Sequence, residues 1–406
     1  MTKRKIILGE YLKFEKGISV PRDRLSITNN IAYLHYGDIY KIYNHVVDIN
    51  KEIDNILKIS TDEKYKKTQL LKDGDIVYNL TSESVDDLGK AVYIRNPNNI
   101  PFVSGMETTI MRVTDKSILL PEYLNYILST YKFKCLLRQY VTGMKVYRVH
   151  PRDIGRIEIE VPDINEQKKI IDILNPFNDK IELNNQMNQT LEEIASLLYK
   201  RWFVDFEFPD DKGNPYKSSG GEMVDSELGM IPKGWEVKKL GEIIKFIKGK
   251  KPNKIKENKV VGYERYMTIK GITNTEILYA DPENTIKIGH NDVSMVMDGA
   301  SSGDIYTNIE GVLSSTFSKI ETEVPNSYIF QVLNYYESDI KKNLTGSAIP
   351  HTDKGYINRL LIVVPKNLLL EKLSKKFAFF IQYINGNIKE SNVLSEQKKI
   401  ILKILI

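Results

Sequence analysis

Two loops and one lysine run hold the side chains best suited to contact with a charged polymer. Thr142-Gly-Met-Lys-Val-Tyr-Arg-Val-His150 offers Lys145, Tyr147, Arg148 and His150 beside a glycine that lets another backbone come close. Thr345-Gly-Ser-Ala-Ile-Pro-His351 offers Ser347 and His351 in the same Thr-Gly frame. Such groups can donate to phosphate oxygens or read base edges, and the same loop also reads as a structural turn between a helix and the next strand. The run Lys248-Gly-Lys-Lys-Pro-Asn-Lys-Ile-Lys256 places Lys250, Lys251, Lys254 and Lys256 within a segment, 238–259, that has nine lysines against two glutamates. It suits a loop that tracks phosphates, and equally a solvated surface loop. Arg22 and Arg24 are further candidates for DNA contact.

Patterns for catalysis are missing. G-x-x-x-x-G-K-[ST] does not occur, which disfavours intrinsic ATP hydrolysis. Adenine methylation needs Asn/Asp-Pro-Pro-aromatic, whereas Asn175-Pro-Phe177 lacks one proline and falls in a helical pattern. Pro162-Asp163 with Glu166-Gln-Lys168 imitates a nuclease metal motif. At a helix start, Asp163 reads better as the N-cap and Glu166 as its capping-box partner. His35, His45, His150, His290 and His351 are scattered, and Cys135 is the single cysteine, so neither a zinc site nor a disulfide is expected. The expectation is a chain with no catalytic residue, no metal and no cofactor of its own.

The elements that position these residues follow from length and repetition. With 406 residues, 41% of them hydrophobic, the chain can form two or three separately cored domains. It shows neither a signal-peptide core nor a run near the roughly 20 apolar residues of a membrane span. One cysteine fits a reducing compartment, so a cytoplasmic location is expected, with no membrane partner. The net charge of +5 decides nothing about nucleic acid. By segment it does more: residues 1–162 carry 25 basic and 20 acidic side chains, 163–205 carry 5 and 8, 206–232 carry 2 and 6, 233–365 carry 18 and 16, and 366–406 carry 8 and 3. Basic globular parts are thus joined through an acidic helix and linker.

Self-comparison uncovers a repeat. LGEYLKFEKG at 8–17 and LGEIIKFIKG at 240–249 share seven of ten residues at an offset of 232. Later the offset is 203, aligning Thr142-Gly143 with Thr345-Gly346 and Val161-Pro162 with Val364-Pro365. The first copy therefore holds 29 extra residues, expected around 41–72. Strands are predicted over Asp75–Asn79, Lys90–Arg95, Thr108–Val113, Asp292–Met297 and Leu313–Glu321. Helices are predicted from Pro121 and from Ser327. Each copy reads as an α+β domain followed by a long helix.

Both long helices carry apolar residues at steps of four and three. The first seam is Ile170, Leu174, Phe177, Ile181, Asn184, Asn188, Leu191, Ala195, Leu198 and Trp202. The second is Leu373, Phe377, Phe380, Ile384, Asn387, Ser391, Leu394, Lys398, Ile401 and Leu405. Each is apolar at its ends and polar in the middle, as two helices packed together require if polar positions are to meet one another. From 163 to 203, or from 366 to 406, 41 residues would make a rod of about 60 Å at ~1.5 Å per residue. That is long for a helix that covers only its own domain, which is the other reading. The seams leave the orientation open.

These features resemble the specificity subunits of type I restriction–modification systems along the whole chain. The pieces that carry the resemblance are VPDINEQKKIIDILNPFNDKIELNNQMNQTLEEIASLLYKRWFVDFEFP at 161–209 and SELGMIPKGWEVKKLGEI at 226–243. The resemblance implies a first target-recognition domain over 1–162, a spacer helix over 163–205, an acidic linker over 206–232, a second recognition domain over 233–365 and a second spacer helix over 366–406. It further implies an antiparallel coiled coil with a pseudo-twofold relation between the halves. Each domain would read half of an asymmetric, bipartite target in double-stranded DNA, and the helix pair would set the gap. Two modification subunits with S-adenosylmethionine would methylate adenine at N6, and restriction subunits would bring ATP, Mg and nuclease activity. The chain departs from its own repeat at Lys398, which stands where the first helix has Ala195, so fraying or capping by a partner is expected there. A coiled-coil protein scaffold without DNA specificity is the alternative.

Overall fold

The computed structural model describes residues 3–43, 45–85, 87–273, 276–346 and 348–406. The chain divides into two compact units, Met1–Glu182 with Ser391–Ile406, and Leu183–Glu390. The division crosses both long helices, so each unit holds one α+β part and a half of each helix.

In the first unit the main sheet runs in the order Leu12–Lys16, Thr108–Val113, Ile76–Asn79, Ala91–Arg95, Val46–Asp48. Ile76, Val77 and Tyr78 are fully buried, as a central strand covered on both faces must be. A three-stranded sheet, Lys58–Ile59, Ile31–Leu34 and Phe102–Ser104, packs with it. The helix Pro121–Leu128 starts with proline at its first turn, where the missing N–H costs nothing, and buries almost every side chain. In the second unit the corresponding sheet is Ile244–Lys248, Phe317–Thr322, Val293–Val296, Ile305–Tyr306, and the helix is Asn326–Lys342. The single strand predicted over Leu313–Glu321 is in fact two. Gly311–Leu313 and Phe317–Thr322 join different sheets, broken by a turn in which the Phe317 amide donates to the Ser314 carbonyl at 3.1 Å.

The two offsets of the repeat reappear as ladder register. Arg4–Ile7 pairs antiparallel with Glu158–Val161, and Glu236–Lys239 with Leu361–Val364. Arg4 lies opposite Val161 and Glu236 opposite Val364, which are the offsets 232 and 203 on one rung. Residues 4–7 are therefore the counterpart of the lead-in before the second copy. The identities at 8–17 and 240–249 have packing reasons. Leu8 and Leu240 are fully buried, and a side chain on Gly9 or Gly241 would meet Gly155 or Asn358 at 2.9 or 2.8 Å. Gly17 and Gly249 press against the carbonyls of Gly105 and Ser314, closer than any Cβ allows.

The surplus of the first copy is more dispersed than expected. Phe14 faces Met111, which faces Ile76, while Phe246 faces Ile320, which faces Val293. The offset thus falls from 232 to 217 by residue 76, to 209 by residue 111, and to 203 by residue 161. About half of the surplus precedes residue 76. It supplies the edge strand Val46–Asp48, and the rest lengthens later loops.

The first long helix runs Ile164–Tyr199 and continues as a π-helical turn, Lys200–Val204; the second runs Asn367–Leu405. Asp163 caps the first, accepting from the amides of Asn165 and Glu166 at 2.9 and 3.1 Å, while the Glu166 carboxylate turns to Lys169 at 3.4 Å. Within the second unit, Tyr199, Trp202 and Phe203 share a core with Leu370, Leu373 and Phe377. Asn184 donates to Glu390 at 2.9 Å, and Asn387 donates to Asn188 at 2.8 Å. Within the first unit, Ile170 and Leu174 share a core with Leu402. Early residues of one helix meet late residues of the other in both units, so the pairing is antiparallel. Every seam position named above is buried or half-buried.

Lys398 does not fray the helix. Its ammonium donates to Asn178 at 2.8 Å; Asn178 donates to the Tyr126 hydroxyl at 2.6 Å, Tyr126 to Asn175 at 2.7 Å, and Asn175 to Glu122 at 3.0 Å. Burial, and then the Lys399 charge, lowers the Lys398 pKa to about 8. His45 stacks on Tyr126 at 4.2 Å and is held at about 3, by burial first and the Lys398 charge second. Both groups bind protons less readily in the fold than in the unfolded chain. Stability should therefore fall as pH drops from 6.5 towards 3, through His45, and rise between pH 8 and 10.5, through Lys398. The upper change should be on the order of 3 kcal/mol, and Lys398→Met should abolish it in denaturant titrations. Equal slopes for the two proteins above pH 8 would refute this.

Candidate nucleic-acid interface

The two Thr-Gly loops fold as the same hairpin. Thr142 and Arg148 exchange backbone hydrogen bonds of 2.9 and 2.8 Å, as do Thr345 and His351. Gly143 and Gly346 have φ of +99° and +85°, and a side chain on either would strike the carbonyl of Val146 or Ile349. Only glycine suits that place in the turn. Two residues beyond the closing pair, a short helix is capped in each copy. His150 Nδ1 accepts from the Arg152 amide at 3.1 Å, and Asp353 accepts from the Tyr356 amide at 3.0 Å. Ile154 and Ile357 of these helices are fully buried. The shared turn is thus structural, and its outer surface remains open to a ligand.

The side chains on that surface differ between copies. Lys145, Arg148 and His150 are exposed and Tyr147 is half-buried. Tyr147 and Arg148 pair with Ser82 and Thr81, which fastens the first hairpin to the sheet. In the second hairpin His351 Nδ1 meets Asp298 Oδ1 at 2.8 Å, and the other carboxylate oxygen lies 3.7 Å from Lys248 Nζ. Ser347 lies outside the described residues. His150 uses Nδ1 on its cap, and the equivalent residue, Asp353, is an acid. That position caps the short helix in both copies.

The lysine run leaves the sheet at Lys248. Gly249 donates to the Phe317 carbonyl at 2.9 Å, and Lys250, Lys251, Lys254 and Lys256 are all exposed. Among the described residues, none of these four has a carboxylate within 4.0 Å. Ile255–Lys256 pairs with Tyr279–Ala280, so the run is held against a sheet edge. Arg22 and Arg24 sit on an exposed 3-10 turn, where Arg24 is partly neutralised by Glu63 at 3.2 Å. The structure joins Lys248 and His351 through Asp298, and places Arg22 and Arg24 on a separate turn.

Asp298 and Asp353 escaped the sequence reading. The signal lay in Asp75 and Asp292, which immediately precede equivalent strands. Asp75 accepts from the Lys72 amide at 2.7 Å and from Arg112 at 2.6 Å; Asp292 accepts from the Gly289 amide at 2.8 Å and from Lys319 at 2.6 Å. Aligning those acids brings Thr81 onto Asp298. Among the described residues, no group of three or more His, Cys, Asp and Glu side chains could hold a metal ion, and no helix is long and apolar enough to cross a membrane.

Two copies of one module, each unit containing half of an antiparallel helix pair, define a duplicated recognition scaffold. The chain belongs to the family of the type I restriction modification DNA specificity domain, which matches residues 8–193 and 232–393. It is thus a specificity subunit, a DNA-recognition component without a catalytic role of its own. It is similar to the HindI specificity subunit of Haemophilus influenzae, 23% identical over 92% of this chain and 93% of that one. The MjaVIII specificity subunit of Methanocaldococcus jannaschii is 31% identical over 43% of this chain, which covers 42% of that relative. The fold is similar to the crystal structure of the S subunit from M. genitalium, with a TM-score of 0.56, 16% identity and coverage of 100% of this chain and 96% of that one.

Replacing Lys250, Lys251, Lys254 and Lys256 together by Gln should make the log–log salt dependence of DNA affinity shallower, by about 0.9 for each lysine that neutralises a phosphate. A slope identical to that of the unaltered chain would show that the run is only a solvated loop.

Proposed function

We propose that the recognition domains at 1–162 and 233–365 each read one half of an asymmetric, bipartite target in double-stranded DNA. The helices at 163–205 and 366–406 set the gap between the halves, and the acidic linker 206–232 joins the first of them to the second domain. The observation that carries this reading is the rung-for-rung repetition of one module, Arg4 opposite Val161 and Glu236 opposite Val364. Two copies of one reader present two similar surfaces, and the differences between copies supply two different half-sites. Two major-groove sites reached from one side must lie about one turn, roughly 34 Å, apart, which makes a rigid spacer useful.

The partners follow from the family reading. Two modification subunits holding S-adenosylmethionine methylate adenine at N6, and restriction subunits add ATP- and Mg-dependent translocation and cleavage. The cytoplasm, where DNA and these cofactors meet, is the proposed place of action. The long helices supply exposed apolar surface for docking: Phe379 and Tyr383 lie one turn apart, with rings at 4.5 Å, and each is half exposed. No observation favours a coiled-coil scaffold without DNA specificity.

Co-expression with an active modification subunit should give N6-methyladenine at one bipartite motif, read by single-molecule sequencing. A complete absence of new modified motifs would refute the reading. Inserting four residues at the middle of both helices adds about 6 Å to each. It should lengthen the unspecified gap of that motif and leave both half-sites intact; an unchanged gap would refute the spacer role.

A further inference from the structure

We infer that the repeated hairpin is a clamp on the DNA phosphodiester backbone, with Arg148 and His351 as its equivalent anion-binding residues and Asp298 as the positioning residue for His351. The inference rests on the DNA-reading role and narrows it. Elsewhere the copies differ in strand number and loop length, and by 29 residues between the two offsets, yet the hairpin keeps its register, its two hydrogen bonds and its left-handed glycine. Geometry keeps the frame of the hairpin, but it does not require a cationic side chain on the closing rung of both copies, and two readers of different half-sites can share only a ligand common to both. Every half-site shares the phosphate backbone; base edges are what differ.

The closing residues agree with that assignment. Arg148 and His351 occupy the same rung, and both can present a cation. Arg148 is exposed, and among the described residues its guanidinium has no carboxylate within 4.0 Å, which leaves its donors for an oxygen pair of a phosphate. In the second unit the weaker cation is assisted. Asp298 can only accept, so His351 Nδ1 donates to it; in the imidazolium form Nε2 is then a second donor, and Lys248, 3.7 Å from the same carboxylate, adds a positive charge beside it. Thr81, the counterpart of Asp298, has no charge, and an arginine needs no tautomer fixed. The facing groups are thus Asp298 and Lys248 for His351, and the backbone of Thr81 and Ser82 for Arg148.

Full-length Arg148→Gln, His351→Gln and Asp298→Asn proteins, each with the modification subunit, test this on a duplex bearing the methylated motif of the unaltered protein. Arg148→Gln and His351→Gln should each make the log–log salt slope shallower by about 0.9 and leave the motif identical at every base. Asp298→Asn should reproduce the His351→Gln loss. Asp298→Glu, which keeps the carboxylate, should restore the salt slope, a rescue by charge that a purely structural aspartate would not show. A relaxed or altered base in either half-site would overturn the inference and make these residues base readers. Unchanged slope and affinity in both glutamine proteins would overturn it as well. If the unaltered complex fails to bind any motif, the DNA-reading role itself is at fault, which separates the two failures.

Discussion

The whole arrangement depends on one short ladder, made twice. The strand that opens each module pairs with the strand that leads into its long helix, Arg4–Ile7 with Glu158–Val161 and Glu236–Lys239 with Leu361–Val364. The next residue extends the join: Leu8 donates to the Ile157 carbonyl at 3.1 Å and Leu240 to the Leu360 carbonyl at 2.8 Å. Gly9 and Gly241 then let the following turn sit directly on the capped short helix. This fixes the root of each long helix against its own sheet. A helix that is free to swivel at its root could not hold a recognition surface in register with DNA, whatever its length.

Duplication explains which residues stayed the same. The identities Leu, Gly, Glu, Lys, Phe, Lys, Gly over 8–17 and 240–249 concentrate where backbone meets backbone or where a side chain is wholly buried. Loops that bear no such constraint have drifted, and the offset falls in steps through them. The same logic separates the repeated hairpin, kept for geometry, from the side chains on its tip, which have become Met-Lys-Val-Tyr in one copy and Ser-Ala-Ile-Pro in the other.

Much of the fold was legible before the structure because the repeat gives the sequence an internal comparison. The long helices were legible from their four-three spacing, and their polar midpoints from Asn184, Asn188 and Asn387. Three features were hidden. The break between Leu313 and Phe317 was hidden because Ser314-Ser315 is a weak turn signal without Gly or Pro, set between Val-Leu and Thr-Phe, which favour strands. The antiparallel sense was hidden from the seams, where polar positions near a helix midpoint coincide in either orientation, and only the family resemblance supplied it. At the interface the cationic residues were visible as types, but their partners were not. Asp298 is 53 residues from His351 and 50 from Lys248, so no local pattern could join them. The capping role of His150 was also hidden, because any residue with an acceptor at that site can fill it.

The one position where the helices break their likeness shows how copies avoid exchanging roles. Ala195 is nearly fully buried among Tyr199 and Trp202 in one core, and a lysine there would have aromatic faces around it and no chain of amides leading to a carboxylate. Lys398 is tolerated only because Asn178, Tyr126, Asn175 and Glu122 form that chain in the first unit. A buried lysine without an acceptor costs several kcal/mol, while the apolar seam positions of related helices could pack in more than one combination. The polar exception therefore contributes more to uniqueness than to stability: it ties the C-terminal helix to the first module and penalises a pairing in which that helix takes the place of its own repeat.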